Sequence, residues 1–231
     1  MKDLPTRPIE GLTFAANLKR EAISDALISR EKSFDELPEG SVVGTGSVRR
    51  TSQLAALRPD LQFRPLAGNV DTRMRKLQEG VYDAIVLASA GLQRLGVLDN
   101  WAASDYADLH VEPLPILPAA GQAILILEIQ TGSWVTEMIS SFNHLETEQA
   151  GIAERAFLNH FGTGCSMPVA AQATVLGGTL TLEGLVASPD GKTVMRGVEL
   201  GEASLATSIG IALAARLCDQ GARALLPEVV G

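Results

Sequence analysis

Three short strand-like runs, two of them followed by a glycine turn and a helical pattern, restrict the possible folds of this chain more than any other feature. The third run, at residues 84–88, is apolar throughout, which is typical of a strand covered on both faces. Strands that alternate with helices predict a parallel sheet within an α/β domain. The predicted strands are residues 41–46, 61–66 and 84–88, and the predicted helices are residues 48–57, before Pro59, and 70–77, before Gly80.

The C-terminal part of the chain has a different pattern, typical of a small α+β domain. Asn143 and Glu146 resemble a capping box that opens a helix running through Phe157. Two hairpin signals, Gly177-Gly178 and Asp190-Gly191, separate three predicted strands, and a final helix carries one apolar stripe. These strands are residues 169–176, 179–187 and 192–199, and the stripe consists of Leu205, Ile209, Leu213 and Leu217. Between the two regions, residues 111–118 predict an extended linker and residues 123–129 predict a further strand.

Charge and composition exclude several classes of function. The 231 residues carry 19 Lys and Arg against 27 Asp and Glu, a net charge of −8. A general nucleic-acid binder needs a basic face to replace phosphate counterions, so we expect no nucleic-acid partner. No apolar run approaches the ~20 residues that span a bilayer, and the N-terminus has no apolar signal core, so we expect no membrane association. Two cysteines make no disulfide framework, which favours a reducing, cytoplasmic location.

Arginines follow two of the predicted strand ends, the place where ligands bind in open α/β sheets. Arg49 and Arg50 come after the turn Gly44-Thr45-Gly46, and Arg73 comes after Gly68-Asn69. Guanidinium groups and the free N–H groups of a helix start suit a carboxylate or a phosphate. The alternative, that all three arginines are solvated helix residues, stays open on pattern alone. Because adjacent helical residues point about 100° apart, we expect Arg49 and Arg50 to have different roles.

Few other side chains are candidates for a reactive or metal-binding role. Cys165 lies in the turn-like sequence Gly164-Cys165-Ser166-Met167-Pro168, where its thiol could be reachable, although a purely structural cysteine is the alternative. Cys218 lies in the terminal helical pattern and is predicted to be a small core residue. The three histidines, His110, His144 and His160, have no ligand-like spacing, so we predict no metal site.

Five motifs of this chain, taken in order, resemble the porphobilinogen deaminase family, also called hydroxymethylbilane synthase, and the resemblance covers essentially the whole chain. It implies a cytoplasmic transferase, expected to be a monomer, that joins four porphobilinogen molecules into hydroxymethylbilane in tetrapyrrole biosynthesis and releases ammonia. It also implies a covalent dipyrromethane cofactor. The motifs are Met1-Lys2-Asp3-Leu4-Pro5, Gly44-Thr45-Gly46-Ser47-Val48-Arg49-Arg50, Gly68-Asn69-Val70-Asp71-Thr72-Arg73, Ala90-Gly91-Leu92-Gln93-Arg94-Leu95-Gly96 and Gly164-Cys165-Ser166-Met167-Pro168.

The resemblance also implies roles for individual residues. Cys165 matches the cysteine that carries dipyrromethane through a thioether. Asp3 matches the catalytic aspartate, which assists deamination and stabilises positive charge on pyrrole nitrogens. The arginines that match those holding acetate and propionate side chains are Arg49, Arg50 and Arg73, and the matching polar neighbours are Lys2, Ser47 and Gln122.

The chain departs from the family pattern at several positions. Ala67 stands where relatives usually carry arginine, Gly46 replaces a serine, and Thr163 replaces a glycine. A hydrogen bond to a charged group contributes roughly 1.5–3 kcal/mol, so Ala67 predicts carboxylate binding weakened by about ten- to one-hundredfold. The chain also begins at an internal motif of the family. We therefore expect an N-terminal segment to be absent and the chain alone to have little or no deaminase activity.

By the same resemblance we expect a doubly wound α/β protein of three domains, the first incomplete. Residues 1–20 and 113–135 are the expected remnants of domain 1. Residues 21–112 are the expected α/β domain 2, and residues 140–231 are the expected α+β domain 3 with the cofactor cysteine. Domains 1 and 2 resemble the lobes of bilobal ligand-binding proteins. Two alternatives therefore accompany the enzyme: an inactive truncated homologue, and a non-catalytic binder of a small carboxylate ligand.

Overall fold

The computed structural model describes residues 1–4, 9–30, 32–162 and 167–227 of the chain. Within these ranges the chain forms three separate sheets and six α-helices. The strands are β1 (Leu12–Asn17), β2 (Asp25–Ser29), β3 (Val42–Gly44), β4 (Gln62–Arg64), β5 (Ala84–Ala88), β6 (His110–Pro113), β7 (Ile126–Gln130), β8 (Val169–Leu176), β9 (Thr179–Ala187) and β10 (Val194–Glu202). The helices are α1 (Val48–Leu57), α2 (Val70–Gln78), α3 (Ser89–Arg94), α4 (Thr136–Ser140), α5 (Leu145–His160) and α6 (Ala206–Asp219).

The largest sheet has five strands in the order β4-β3-β5-β2-β6. The strands β4, β3 and β5 are parallel, as predicted, but β2 runs antiparallel to both β5 and β6. The expectation of a purely parallel sheet is therefore wrong, because β2 was missed in the sequence. The prediction of a linker at residues 111–118 is also partly wrong, because His110–Pro113 forms the edge strand β6.

Helices cover both faces of this sheet, which confirms the doubly wound α/β class. Successive residues of a strand point to opposite faces, and in β5 they enter two different cores. Ile85 and Leu87 pack with Met74 of α2, whereas Ala84 and Val86 pack with Leu54 of α1. All five strand residues of β5 are apolar because neither face meets water.

The second sheet contains only β1 and β7, paired antiparallel with an irregularity between Phe14 and Ala16. The predicted strand at residues 123–129 starts later than expected, at Ile126. Its expected first residue, Ala123, instead has a φ of 66° and therefore leaves the extended region. This short sheet lies beside the N-terminus of α5, where the backbone N–H of His144 donates to the carbonyl of Asn17 at 2.8 Å.

The third sheet is an antiparallel meander, β10-β9-β8, with α5 and α6 packed on one face around Phe157 and Leu213. Gly177 and Gly178 form the predicted tight hairpin, with φ values of 57° and 79°. A two-residue turn of this kind needs positive φ at both positions, and glycine adopts it without strain.

Two predicted details of this region are wrong. The helix α5 is capped by His144, whose ring nitrogen accepts from the N–H of Thr147, and not by Asn143. The Asn143 side chain instead accepts from the backbone N–H of Asn17 at 2.8 Å. Leu205 lies outside α6 and is 54% exposed, whereas the other three members of its predicted stripe are buried. In the part of the chain that the structure describes, no helix has the length and apolar character needed to cross a membrane.

Candidate functional site

Several helix starts meet at one edge of the five-stranded sheet. The parallel strands β3, β4 and β5 all end at this edge, and α1, α2 and α3 begin directly after them. Because β2 is antiparallel, it begins at the same edge, with Asp25 as its first residue. This arrangement places Arg49 and Arg50 in the first turn of α1, Arg73 in α2 and Asp25 at the start of β2, all at the same edge of the sheet.

A cleft of about 270 Å³ opens at this edge. Its wall combines side chains from the sheet edge, the N-terminal residues, the loop before β7 and the C-terminal sheet. The structure thus brings together all the sequence-predicted site residues that it describes. The lining residues are Lys2, Asp3, Gly46, Ser47, Arg49, Arg50, Arg73, Ala119, Ala120, Gln122, Leu158, Met167 and Val169.

Arg49 and Arg50 are buried and both bind Asp25. The Nη2 atom of Arg49 lies 2.8 Å from Oδ2 of Asp25, and Nη2 of Arg50 lies 2.6 Å from Oδ1. Each arginine also donates to a different backbone carbonyl, that of Leu117 for Arg49 and that of Val86 for Arg50. The solvated alternative is therefore wrong for both residues.

Arg49 and Arg50 were expected to have different roles, and at the Asp25 carboxylate this is wrong. Both side chains are long enough to reach it from the first turn of α1, and each binds one of its two oxygens. Asp25 itself was missed in the sequence. Its only signal there is a single charged residue at the start of the apolar run Ala26-Leu27-Ile28.

Arg73 and Lys2 supply further positive charge to the cleft. Arg73 is half-buried, and its Nε donates to the carbonyl of Gly68 at 2.7 Å. Within the described ranges its two terminal nitrogens have no protein acceptor. Burial and the charge of Arg50 lower the pKa of Arg73 below its ordinary value, and burial followed by Arg50 lowers that of Lys2. The cleft therefore holds more positive charge than its own carboxylates balance, which favours an anion.

Gln122 projects into the cleft from the loop before β7. Its Nε2 atom donates to the carbonyl of Ile23 at 2.7 Å and to Oδ1 of Asp25 at 3.1 Å. Among the residues that the structure describes, neither its buried Oε1 atom nor the buried Nε atom of Arg50 has a hydrogen-bond partner. Buried polar atoms are rarely left unpaired, so these two atoms are an unsatisfied acceptor and an unsatisfied donor just behind the cleft.

Glu154, which sequence reasoning also missed, holds this loop in place from α5. Its carboxylate forms an ion pair with Arg20 and accepts from the backbone N–H groups of Gly121 and Ala173, at 2.6 and 2.7 Å. Arg20 in turn donates through Nε to the carbonyl of Gln122 at 3.0 Å. The loop that supplies Gln122 is therefore fixed by groups from α5, β8 and the segment before β2.

Ala123 in this loop is the non-glycine residue with positive φ, at 66°, within the described ranges. The left-handed region costs an L-residue roughly 1–2 kcal/mol, and glycine avoids that cost while losing some entropy on folding. We therefore expect Ala123→Gly to raise the Tm by about 1–4 °C. Ala120→Gly, a buried neighbour without positive φ, is the matched control and should lower the Tm in thermal unfolding. Equal destabilisation by both variants would show that Ala123 is not strained.

Of the remaining residues singled out in the sequence, some line the cleft, some do not, and two lie outside the described residues. Asp3 is exposed at the cleft, beside Lys2. Ser47 precedes α1, and its hydroxyl makes no helix-capping hydrogen bond. Cys165 and Thr163 lie outside the described residues, although Met167 lines the cleft. Ala67 is exposed and does not line the cleft, and a Cβ at Gly46 would lie 3.1 Å from the carbonyl of Leu66.

The fold and the cleft define an α/β protein with four basic side chains around one cleft, Lys2, Arg49, Arg50 and Arg73. Comparison with protein families matches residues 1–137 to "Porphobilinogen deaminase, dipyromethane cofactor binding domain" and residues 149–219 to "Porphobilinogen deaminase, C-terminal domain". The chain belongs to the porphobilinogen deaminase family. The predicted class of enzyme, a transferase of tetrapyrrole biosynthesis, and its dipyrromethane cofactor are thereby confirmed, and the two alternatives are not favoured.

Curated relatives agree with this assignment. The porphobilinogen deaminase of Chromobacterium violaceum is 43% identical over 100% of this chain and 73% of the relative. That of Pelotomaculum thermopropionicum is 45% identical over 98% of this chain and 71% of the relative, and that of Synechococcus elongatus is 40% identical over 99% and 71%. Among solved structures, a periplasmic binding protein from Brucella ovis with glutathione bound has a TM-score of 0.37 and 15% identity, covering 64% of this chain and 43% of that one.

Proposed function

We propose that the cleft binds the acetate and propionate groups of porphobilinogen and of the pyrrole chain made from it. The observation that supports this most directly is the gathering of Lys2, Arg49, Arg50 and Arg73 around one small volume. That volume, about 270 Å³, is close to the lower end of the range of about 300–1,000 Å³ for ligand pockets. Each pyrrole brings two carboxylates, so a chain of pyrroles needs several cationic partners.

The dipyrromethane cofactor fits the polar groups of this cleft. Its carboxylates need donors, which the terminal nitrogens of Arg73 offer, and its ring N–H groups need an acceptor, which the Asp3 carboxylate at the cleft offers. When bound, the cofactor would supply the free pyrrole position at which the chain of new units begins. We assign its attachment to Cys165 on the strength of the Gly164-Cys165-Ser166-Met167-Pro168 motif.

The other residues act on the substrate through charge and position. Arg73 presents terminal nitrogens to a carboxylate, and the Ser47 hydroxyl, which is not used as a helix cap, donates beside it. Asp3 lines the same cleft, and its carboxylate stabilises positive charge on a pyrrole nitrogen as ammonia leaves. We further propose that the chain works as a monomer in the cytoplasm without nucleic acid, which rests on the acidic net charge and the family.

The proposed function predicts how porphobilinogen affinity depends on pH. Burial and the charge of Arg50 lower the pKa of Lys2 from its ordinary value of 10.5, so Lys2 loses its proton at a lower pH than an exposed lysine does. Its attraction for a carboxylate is present at low pH and is lost as the pH rises through that lowered pKa. In Lys2→Arg the charge persists to higher pH, because a guanidinium keeps its proton.

Isothermal titration of both proteins with porphobilinogen, from neutral to alkaline pH, measures this difference. The ligand's own amine titrates equally in both series, so a difference between them reports on Lys2. We expect the fall in affinity to begin at lower pH in the wild type than in Lys2→Arg. Superimposable pH profiles would remove Lys2 from the site, and an absence of porphobilinogen binding in both would overturn the proposed function.

A further inference from the structure

Asp25 does not line the cleft but lies directly behind the residues that do. It is completely buried, and its carboxylate contacts three side chains that do line the cleft, those of Arg49, Arg50 and Gln122. These three residues come from two distant parts of the chain, α1 and the loop before β7. Asp25 is therefore the common partner that joins both parts behind the ligand volume.

The charge of Asp25 matters as much as its position. Two guanidinium groups and one carboxylate leave a single net positive charge in this buried group. Burial alone would raise the pKa of Asp25, but the charges of Arg49 and Arg50 outweigh it and lower that pKa below 3.8. The carboxylate is thus ionised throughout the physiological range and neutralises one guanidinium permanently.

We infer that Asp25 is a positioning residue that sets the ligand specificity of the cleft. It fixes Arg49, Arg50 and Gln122 relative to one another and cancels one of the two guanidinium charges. The cleft consequently selects a ligand whose carboxylates and N–H groups match a rigid array, and it discriminates against simple anions. This inference rests on the proposed function for the identity of the matching ligand, porphobilinogen.

Asp25→Asn separates position from charge. Asparagine has nearly the same shape but leaves both guanidinium groups without a counter-ion. The asparagine oxygen still accepts from one guanidinium, but its NH₂ group faces the other, which keeps only its backbone acceptor, Leu117 for Arg49 or Val86 for Arg50. The gain in positive charge should strengthen binding of a simple carboxylate, while the loss of order should weaken binding of a matched one.

The experiment is a pair of titrations, with sodium propionate and with porphobilinogen, at constant ionic strength. For Asp25→Asn we expect porphobilinogen affinity to fall about ten- to one-hundredfold, as for a lost charged hydrogen bond, and propionate affinity to rise severalfold. A general loss of structure would lower both affinities, so only a change in opposite directions identifies the positioning role. Asp83→Asn is the matched control, since Asp83 pairs with the exposed Arg30 on the far side of the sheet and should change neither affinity.

Each result decides the inference. Parallel losses of both affinities, or no change in either, would overturn it. If the wild type does not bind porphobilinogen, the proposed function fails, while the propionate titration still tests the charge of Asp25. If Asp25→Asn does not fold, the double variant Asp25→Asn/Arg49→Met removes one of the two uncompensated cations, restores the original net charge of the group and is expected to fold. Failure of both variants to fold would make Asp25 a structural residue and overturn the inference.

Discussion

Glu154→Gln is expected to lower the free energy of unfolding by about 3–5 kcal/mol, the cost of breaking a buried ion pair by removing one partner. The Glu154 side chain is fully buried, and every contact to its carboxylate comes from a donor: Arg20, the N–H of Gly121 and the N–H of Ala173. A glutamine must turn its NH₂ group toward one of these donors. It also leaves the Arg20 guanidinium without a counter-ion in a buried setting.

Urea denaturation followed by circular dichroism measures this loss. Glu183→Gln is the matched control, because Glu183 pairs with Arg196 on the exposed face of β9 and β10. Exposed ion pairs contribute only about 0–1 kcal/mol. A loss for Glu154→Gln no larger than for the control would contradict the view that α5 fixes the Gln122 loop.

Cys165→Ala is expected to abolish the covalent cofactor completely. If Cys165 carries dipyrromethane, intact-protein mass spectrometry of the wild type should show a mass above that of the sequence by one dipyrromethane unit. The alanine variant should show the mass of the sequence alone, because the other thiol, Cys218, is partly buried and its pKa is raised. The reactive form of cysteine is the thiolate, which needs access and a pKa that is not raised.

Cys218→Ala provides the control for this measurement. Cys218 is partly buried against the C-terminal core, and burial raises the pKa of its thiol. The Cys218 variant should therefore keep the added mass. An adduct that survives in Cys165→Ala, or that disappears in Cys218→Ala, would move the attachment site away from Cys165.

The local elements of the fold could largely be predicted from the sequence. The runs around β3, β4 and β5 and the hairpin at Gly177-Gly178 were predicted because periodicity and glycine position depend on neighbouring residues alone. The strand β2, Asp25–Ser29, was missed because it begins with a charged residue and is followed by neither a glycine turn nor a helical pattern. Its antiparallel entry also explains why the sheet is mixed, which periodicity cannot indicate.

The site was predictable where residues are marked by a motif and not where they are marked by a partner. The arginines follow glycine turns, so their place at the sheet edge could be predicted. Asp25 and Glu154 have no motif, and their importance depends on contacts with residues 25 and 134 positions away in sequence, Arg50 and Arg20. Such pairings become visible only when the chain is folded.

The most direct test of the central claim, that this cleft recognises the carboxylates of a pyrrole, is a titration with porphobilinogen and with its dimethyl ester. The ester keeps the ring and the amine but removes both negative charges. We expect the acid to bind and the ester to bind about one-hundredfold more weakly or not at all, and Arg73→Gln to weaken only the acid. Equal affinity for acid and ester, or an Arg73→Gln variant that binds the acid as well as the wild type does, would contradict the claim.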